Sequence, residues 1–289
     1  MYLKRKLVMA SWIFAVLSTS IVYLIFRSAS PIWQMVGLIT TVFLSMKIIV
    51  AAETHKDKAL NLNFKQWVCF AFLWAGMRPR LFETLGAQPL EGAWRMIAFG
   101  VSRIAVGLLL VVFSKMSFTH LPYSNLTFIP TIAILLIGLS LILHFGILSV
   151  TAGIWRHYGV PTYYLFRSPT RSLSVTEFWS KRWNIAFSEM TSTVIYRPIK
   201  PVLGTRTALM SAFLFSGLLH EIALSVPVNG GYGLPLLYFI IQGGVVWLEK
   251  AKKISGRLWT AVWIILPTPL LFHTHFVKGI LLPILHCRF

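Results

Sequence analysis

Acidic residues are scarce in this sequence. Eight Asp and Glu stand against 27 Lys and Arg, which leaves a formal net charge of +19. In a soluble domain such an excess points to nucleic acid. Here the basic residues are parcelled out between long apolar runs, so they read as membrane topology and as attraction to anionic lipid headgroups or acidic ligands, and no nucleic-acid partner is expected. Cysteine is scarcer still: Cys69 and Cys287 make neither a disulfide framework nor a thiolate metal site, and the redox compartment stays open. Charged residues make up only 12% of the chain against 56% hydrophobic ones, with a mean hydropathy of +0.72, and that balance excludes a soluble globular domain. The eight histidines lack the clustered His-x-x-His-His runs of a membrane di-iron oxygenase. His273 and His275, two apart, diverge on a helix, and no metal is expected. Without an internal repeat, a low-complexity tract or a separable soluble stretch, residues 1–289 read as one membrane domain.

What the chain has in abundance is apolar runs of bilayer length. Leu7–Phe26 follows a basic start in the manner of a signal peptide, and Ser28-Ala-Ser30 has the look of a cleavage site. The run is nevertheless about twenty residues long, beyond a usual signal core, with Arg27 at its far end, so it is expected to stay as a first span. Pro31–Ala52 is the second. Its Lys47 is either an interfacial anchor, snorkelling about 7.5 Å to the inner surface, or a buried partner for a carboxylate. Trp67–Met77 is apolar but short and predicts a re-entrant or surface helix ended by Arg78-Pro79-Arg80. Trp94–Phe113 is a third span with Arg103 near its middle, facing protein or a wet cavity. Phe128–Ile154 is a fourth and holds His144, which is either a packing residue or part of a site. Residues 155–206 are polar and form a cytoplasmic amphipathic segment. Thr207–Val226, Leu234–Leu248 and Leu258–Phe276 complete seven spans, the last broken by Pro267 and Pro269, and the tail from Val277 is part of a candidate eighth element. With the N-terminus inside, about twenty-one of the 27 basic residues fall on cytoplasmic loops.

Two stretches carry the chemistry. The first is Ser174-Val-Thr-Glu-Phe-Trp-Ser-Lys-Arg-Trp-Asn184, where Ser174 and Glu177 form a Ser-x-x-Glu capping box. A helix started there sets Ser180, Asn184, Ser188 and Thr191 on one face and Trp179, Trp183, Ala186 and Met190 on another. Asn184 alone in that polar stripe offers both an amide donor and a carbonyl acceptor. The second is Ser216-Gly-Leu-Leu-His-Glu221 within the fifth span. His220 lies thirteen residues from Thr207, roughly 20 Å deep. A neutral imidazole there is a candidate general base, with Ser216 and Gly217 leaving room beside the ring. Glu221 points about 100° away and is expected to answer a basic residue such as Arg103 or Lys47 rather than to orient His220.

Phe178-Trp-Ser-Lys-Arg-Trp-Asn184 followed by an isolated His220 in a long apolar helix resembles the wax synthase branch of the membrane-bound O-acyltransferases. Met46-Lys-Ile-Ile-Val50, Gly76-Met-Arg-Pro79, His144-Phe-Gly146 and Leu266-Pro-Thr-Pro-Leu-Leu-Phe272 agree in order, so the resemblance covers most of the chain. It implies an all-α polytopic membrane protein of seven to eight transmembrane helices plus re-entrant or interfacial helices. It also implies acyl transfer from acyl-CoA, a co-substrate supplied from the cytoplasm, to the hydroxyl of a lipophilic alcohol arriving from the bilayer. Under it His220 is the general base and Asn184 the oxyanion or thioester-positioning group, with no cofactor. Trp179, Trp183, Ser216 and His144 are candidate substrate contacts, and Arg167, Arg171, Lys181 and Arg182 are either partners of the CoA phosphates or anchors to lipid headgroups. Two rivals stand beside this reading. A transporter would use Lys47, Arg103, His144 and Glu221 as a solute path. An inactive member of the family would keep only the scaffold.

Overall fold

Backbone polar groups in hydrocarbon need partners within their own segment, so the apolar runs close into helices. The computed structural model describes residues 2–57, 59–122 and 124–286; the end of the chain, Cys287 included, lies outside them. The helices in order are α1 Tyr2–Phe26, α2 Pro31–Asp57, α3 Phe64–Leu73, α4 Ala93–His120, α5 Asn125–Ser140, α6 Leu148–His157, α7 Val175–Glu177, α8 Ile185–Thr191, α9 Arg197–His220, α10 Leu234–Lys252, α11 Arg257–Ile265, α12 Thr268–Leu271, α13 Thr274–Phe276 and α14 Leu282–His286. Strands are absent among the described residues. Among the described residues, six helical runs are long and apolar enough to cross a membrane, and the pair Arg257–Leu271 with Thr274–His286 makes a seventh when taken as one broken span. The chain is thus an all-α, multi-pass membrane protein.

Two compact units divide the chain. The first takes Met1–Asn61, Gly76–Pro79 and Arg167–Phe276. In it α1 and α2 pair across the tight turn at 27–30, with the Ser18 and Ser45 hydroxyls 3.2 Å apart and Trp12 edge-on to Phe215 of α9. Lys47 is buried, with 2% of its surface exposed, which overturns the interfacial anchor. Its stem stays inside the protein, where Nζ donates to the Gly76 carbonyl at 3.0 Å and sits over the Phe43 ring.

The second unit takes Leu62–Ala75, Arg80–Phe166 and Val277–Phe289. The short apolar stretch within it is α3, started by a reciprocal capping box between Asn63 and Gln66. Its core is an antiparallel crossing of α4 against α5 and α6, built on small residues. Ala93, Gly100, Gly107 and Ser114 recur every seventh residue along α4 and are all buried. Gly153, Gly146, Gly138 and Thr131 meet them in reverse order. A Cβ on Gly100 would stand 2.7 Å from the Gly146 carbonyl oxygen, one on Gly107 2.7 Å from that of Gly138, and one on Gly153 2.7 Å from that of Ala93. Ser114 Oγ donates to the Thr131 carbonyl at 2.8 Å. Close approach of this kind is how helices gain contact where lipid removes the hydrophobic drive. The facing row steps by seven, eight and seven, and the extra residue falls at the π-helical turn Leu141–Ile147, which absorbs one residue and keeps the small side chains opposed.

The expected polar connection up to Arg206 is half helix. A helical run of 41 residues, Ile185–Ser225, passes through it and bends at Gly204, whose φ of 79° is open to glycine alone at little cost.

Candidate active site

The Ser174 stretch does not make one continuous amphipathic helix. Ser174 Oγ accepts the Glu177 N–H at 2.9 Å and starts α7 as predicted. Glu177 reaches one residue further back than a capping box requires and takes the Leu173 N–H at 2.8 Å. After one turn the helix widens into a π-turn, Phe178–Arg182, and stops: Trp183 is extended and Asn184 adopts the left-handed conformation at φ 43°. Asparagine tolerates that conformation because its side chain bonds locally, and Asn184 Oδ1 accepts the Phe187 N–H at 3.2 Å, capping α8. The break leaves the Trp179 carbonyl without its usual helical donor, since the Trp183 N–H bonds Phe178 instead, and the Ser188 hydroxyl takes it.

The broken segment folds against α9 and α10 around a cavity of about 260 Å³. Trp179, Trp183, Asn184, Ser216 and His220 all line it, so five of the predicted site residues meet at one place. The polar stripe of Ser180, Asn184, Ser188 and Thr191 also faces it, despite the break. Trp183 stacks on Phe178 with the rings 12° from parallel, while the His220 ring is held between Phe187 and Phe239 at centroid distances of 5.7 and 4.4 Å. His220 Nδ1 lies 2.7 Å from the Ser216 carbonyl oxygen. A carbonyl only accepts, so Nδ1 carries the proton and Nε2 keeps its lone pair. Asn184 is oriented by the same logic: its oxygen is engaged with the Phe187 N–H, which leaves the amide nitrogen as the group it can offer a ligand. Three π-turns abut the cavity, at Phe178–Arg182, Ser192–Tyr196 and, immediately after His220, Glu221–Ser225. Such turns re-aim side chains and cluster at functional sites.

The other predicted contacts sit elsewhere. His144 belongs to the second unit, where it stacks on Phe166 at 4.7 Å and lies 3.1 Å from the Ser140 hydroxyl. Arg171 and Lys181 are exposed. Arg182 is engaged by Glu177, with Nε and Nη2 each 2.7 Å from Oε1, and also reaches the carbonyls of Arg167 and Ser168. Its guanidinium thereby ties the π-turn to the loop before it. Glu177 lies outside the spans, and the Leu173 N–H, then Arg182, hold its carboxyl below the usual range against the opposing effect of burial. Glu221 departs from expectation: its Oε1 accepts the backbone N–H groups of Gly233 and Leu236 at 2.9 and 3.0 Å, closing the N-terminus of α10 where a carboxylate is favoured.

Residues 162–241, which hold the motif segment and His220, match the family described as membrane bound O-acyl transferase. The match takes in 80 of the 289 residues and shows what that segment is similar to. The chain is 32% identical over 111 residues to a long-chain-alcohol O-fatty-acyltransferase of Simmondsia chinensis, across 35% of this chain and 32% of the relative. Two probable long-chain-alcohol O-fatty-acyltransferases of Arabidopsis thaliana, numbers 2 and 9, are 23% and 24% identical over 134 and 239 residues. These alignments cover 40% and 75% of this chain, and 39% and 67% of the relatives. The chain thus matches about a third to two-fifths of the first two relatives' length.

Just beyond the matched segment, sequence reasoning missed three residues. Lys250, at the end of α10, is the cation in the cavity wall, yet in the sequence it merges with the basic cluster running to Arg257. Gln242 and Glu249 are buried on α10 and bond directly to the motif segment. The signal for Gln242 was present, since it is the one amide in the apolar run Leu234–Leu248 and a polar group at that depth needs a partner.

Proposed function

We propose that the cavity performs acyl transfer from acyl-CoA to the hydroxyl of a lipophilic alcohol. The observation that carries this reading is that His220 and Asn184 line one cavity and each has one polar atom bound to backbone, which leaves a lone pair on the one and an amide donor on the other. The alcohol O–H gives its proton to His220 Nε2 as the oxygen attacks the thioester carbonyl. Asn184 donates its amide N–H to the oxyanion that develops there, a contribution of about 3 kcal/mol in comparable sites. Collapse of the adduct forms the ester C–O bond and breaks C–S. His220 then returns its proton to the departing CoA thiolate, which completes the cycle without a covalent enzyme intermediate or a cofactor. Lys250 is suited to receive an anionic part of the donor at the cavity wall. The aromatic walls, Trp179, Trp183, Phe187, Phe213 and Phe239, suit an acyl chain.

The positive-inside distribution of basic residues supports a cytoplasmic N-terminus and motif segment, the side from which acyl-CoA would come. The family match and the relatives' names support the reaction class. Purified protein in detergent, given radiolabelled long-chain acyl-CoA and a panel of primary alcohols and sterols, is expected to yield a labelled ester with at least one acceptor. Hydrolysis or no turnover across the panel would reject the reading.

A further inference from the structure

Gln242 lies on α10 with none of its surface exposed. Its two amide atoms point opposite ways: Oε1 accepts the Trp179 indole N–H at 3.0 Å, and Nε2 donates to the Trp263 carbonyl at 2.7 Å. That carbonyl is open for a definite reason. Its helical donor would be residue 267, which is proline and has no N–H. The Pro267 break in the last span therefore presents a bare carbonyl, and Gln242 links it to a wall of the cavity.

One heptad along the same face, Glu249 makes a second link. Its carboxylate accepts the backbone N–H groups of Val175 and Thr176, the Thr176 hydroxyl and the Trp259 indole N–H, at 2.6, 2.9, 2.7 and 3.0 Å. Trp259 and Trp263 are one turn apart on α11, and Thr176 and Trp179 are three apart in the motif segment. Both of the latter line the cavity. Two buried residues of α10 thus each grip α11 on one side and the motif segment on the other.

We infer that Gln242 and Glu249 form a clamp that sets the position of Trp179 and Thr176 from α11, so that Gln242 is a specificity-determining positioning residue for the acyl chain although it is not one of the residues lining the cavity. The inference rests on the acyl-transfer reading of this cavity. If Trp179 is one wall of the acyl path, freeing its indole changes how well chains of different length fit while leaving His220 and Asn184 in place.

The test is a double-mutant cycle with Gln242→Leu and Trp179→Phe, read in two ways. The first is kcat/KM over an acyl-CoA series from twelve to eighteen carbons, where Gln242→Leu is expected to change the preference between the ends of the series about three- to tenfold, the worth of one hydrogen bond. Trp179→Phe, which keeps a ring but removes the N–H, should produce much of the same change, and adding Gln242→Leu to it should add little. Gln242→Glu, which keeps an acceptor for Trp179, should restore part of the wild-type preference. A chain-length profile unchanged in Gln242→Leu, or fully additive effects, would overturn the inference. The second reading is melting temperature in detergent over the same cycle, which needs no turnover. Coupling of the two substitutions there, with no ester formed by any variant or by wild type, would retain the clamp and reject the reaction; additivity there would reject the clamp.

Discussion

His220 Nδ1 sits 2.7 Å from the carbonyl oxygen of Ser216, one helical turn back, and this contact decides which ring nitrogen can take a proton. The same local geometry holds at His120 with Met116 and at His286 with Leu282, both on exposed stretches of helix. The hydrogen bond is therefore a common habit of helical histidines. What distinguishes His220 is its place in a cavity that Asn184, Ser180, Ser188 and Thr191 also line.

Asn184 performs two jobs that a substitution can separate. Asn184→Gly keeps the left-handed backbone and costs a few tenths of a kcal/mol as a cap, whereas Asn184→Ala keeps a Cβ at φ 43° and loses the local side-chain bond that offsets its strain. Both should lower kcat about 10²- to 10³-fold with a smaller change in KM for acyl-CoA. Only the alanine variant should lose much melting temperature. Full turnover in the glycine variant would remove the amide from the chemistry.

Glu249 accepts four hydrogen bonds while buried. Glu249→Gln offers one carbonyl and two donors to a ring of donors. It is expected to lose about 2–3 kcal/mol of stability, seen as a lower melting temperature in detergent. A melting temperature equal to wild type would show that the α7 N-terminus does not depend on this carboxylate.

Gly107 admits no side chain without moving α5. A Cβ there meets the Gly138 carbonyl and Ile142 Cγ1, both at 2.7 Å. Gly107→Val should destabilise the second unit by about 1–3 kcal/mol or more. Lower yield of folded protein on gel filtration checks it, and Gly244→Ala, with open space around its position, serves as the control.

The Glu177–Arg182 pair gives stability a pH dependence with a definite sign. Because the folded-state pKa is depressed by the Leu173 N–H and Arg182, the contribution is present above the ordinary glutamate value near about 4.3 and is lost as pH falls through the lower folded value. Wild type should lose melting temperature more steeply than Glu177→Gln below about pH 4.5. Parallel curves would contradict the pair's role.

The long apolar helices were legible in the sequence because hydrocarbon forces such runs into one structure, while their number, read as seven to eight, comes to six or seven among the described residues. His220, Asn184, Trp179, Trp183 and Ser216 were legible as well, since their motif and spacing mark them. What periodicity hid was the break at Asn184: a helical wheel assumes 3.6 residues per turn throughout, and the π-turn at Phe178–Arg182 violates it. Small residues at Gly100 and Gly107 carried the crossing of α4 with α5 and α6, but the facing row is out of a strict seven-residue period by the one residue that Leu141–Ile147 absorbs. Partners of buried charges were the least legible. Glu221 found two backbone N–H groups and Lys47 a carbonyl, and backbone partners leave no mark in side-chain composition.

Single-turnover ester formation by His220→Ala, with a gel-filtration profile in detergent matching wild type, bears most directly on the whole account. Loss of the burst by at least about 10²-fold, with labelled acyl-CoA still bound, is the expected result. Ester formed at the wild-type rate would show that His220 Nε2 takes no proton and that the cavity is not the site of transfer.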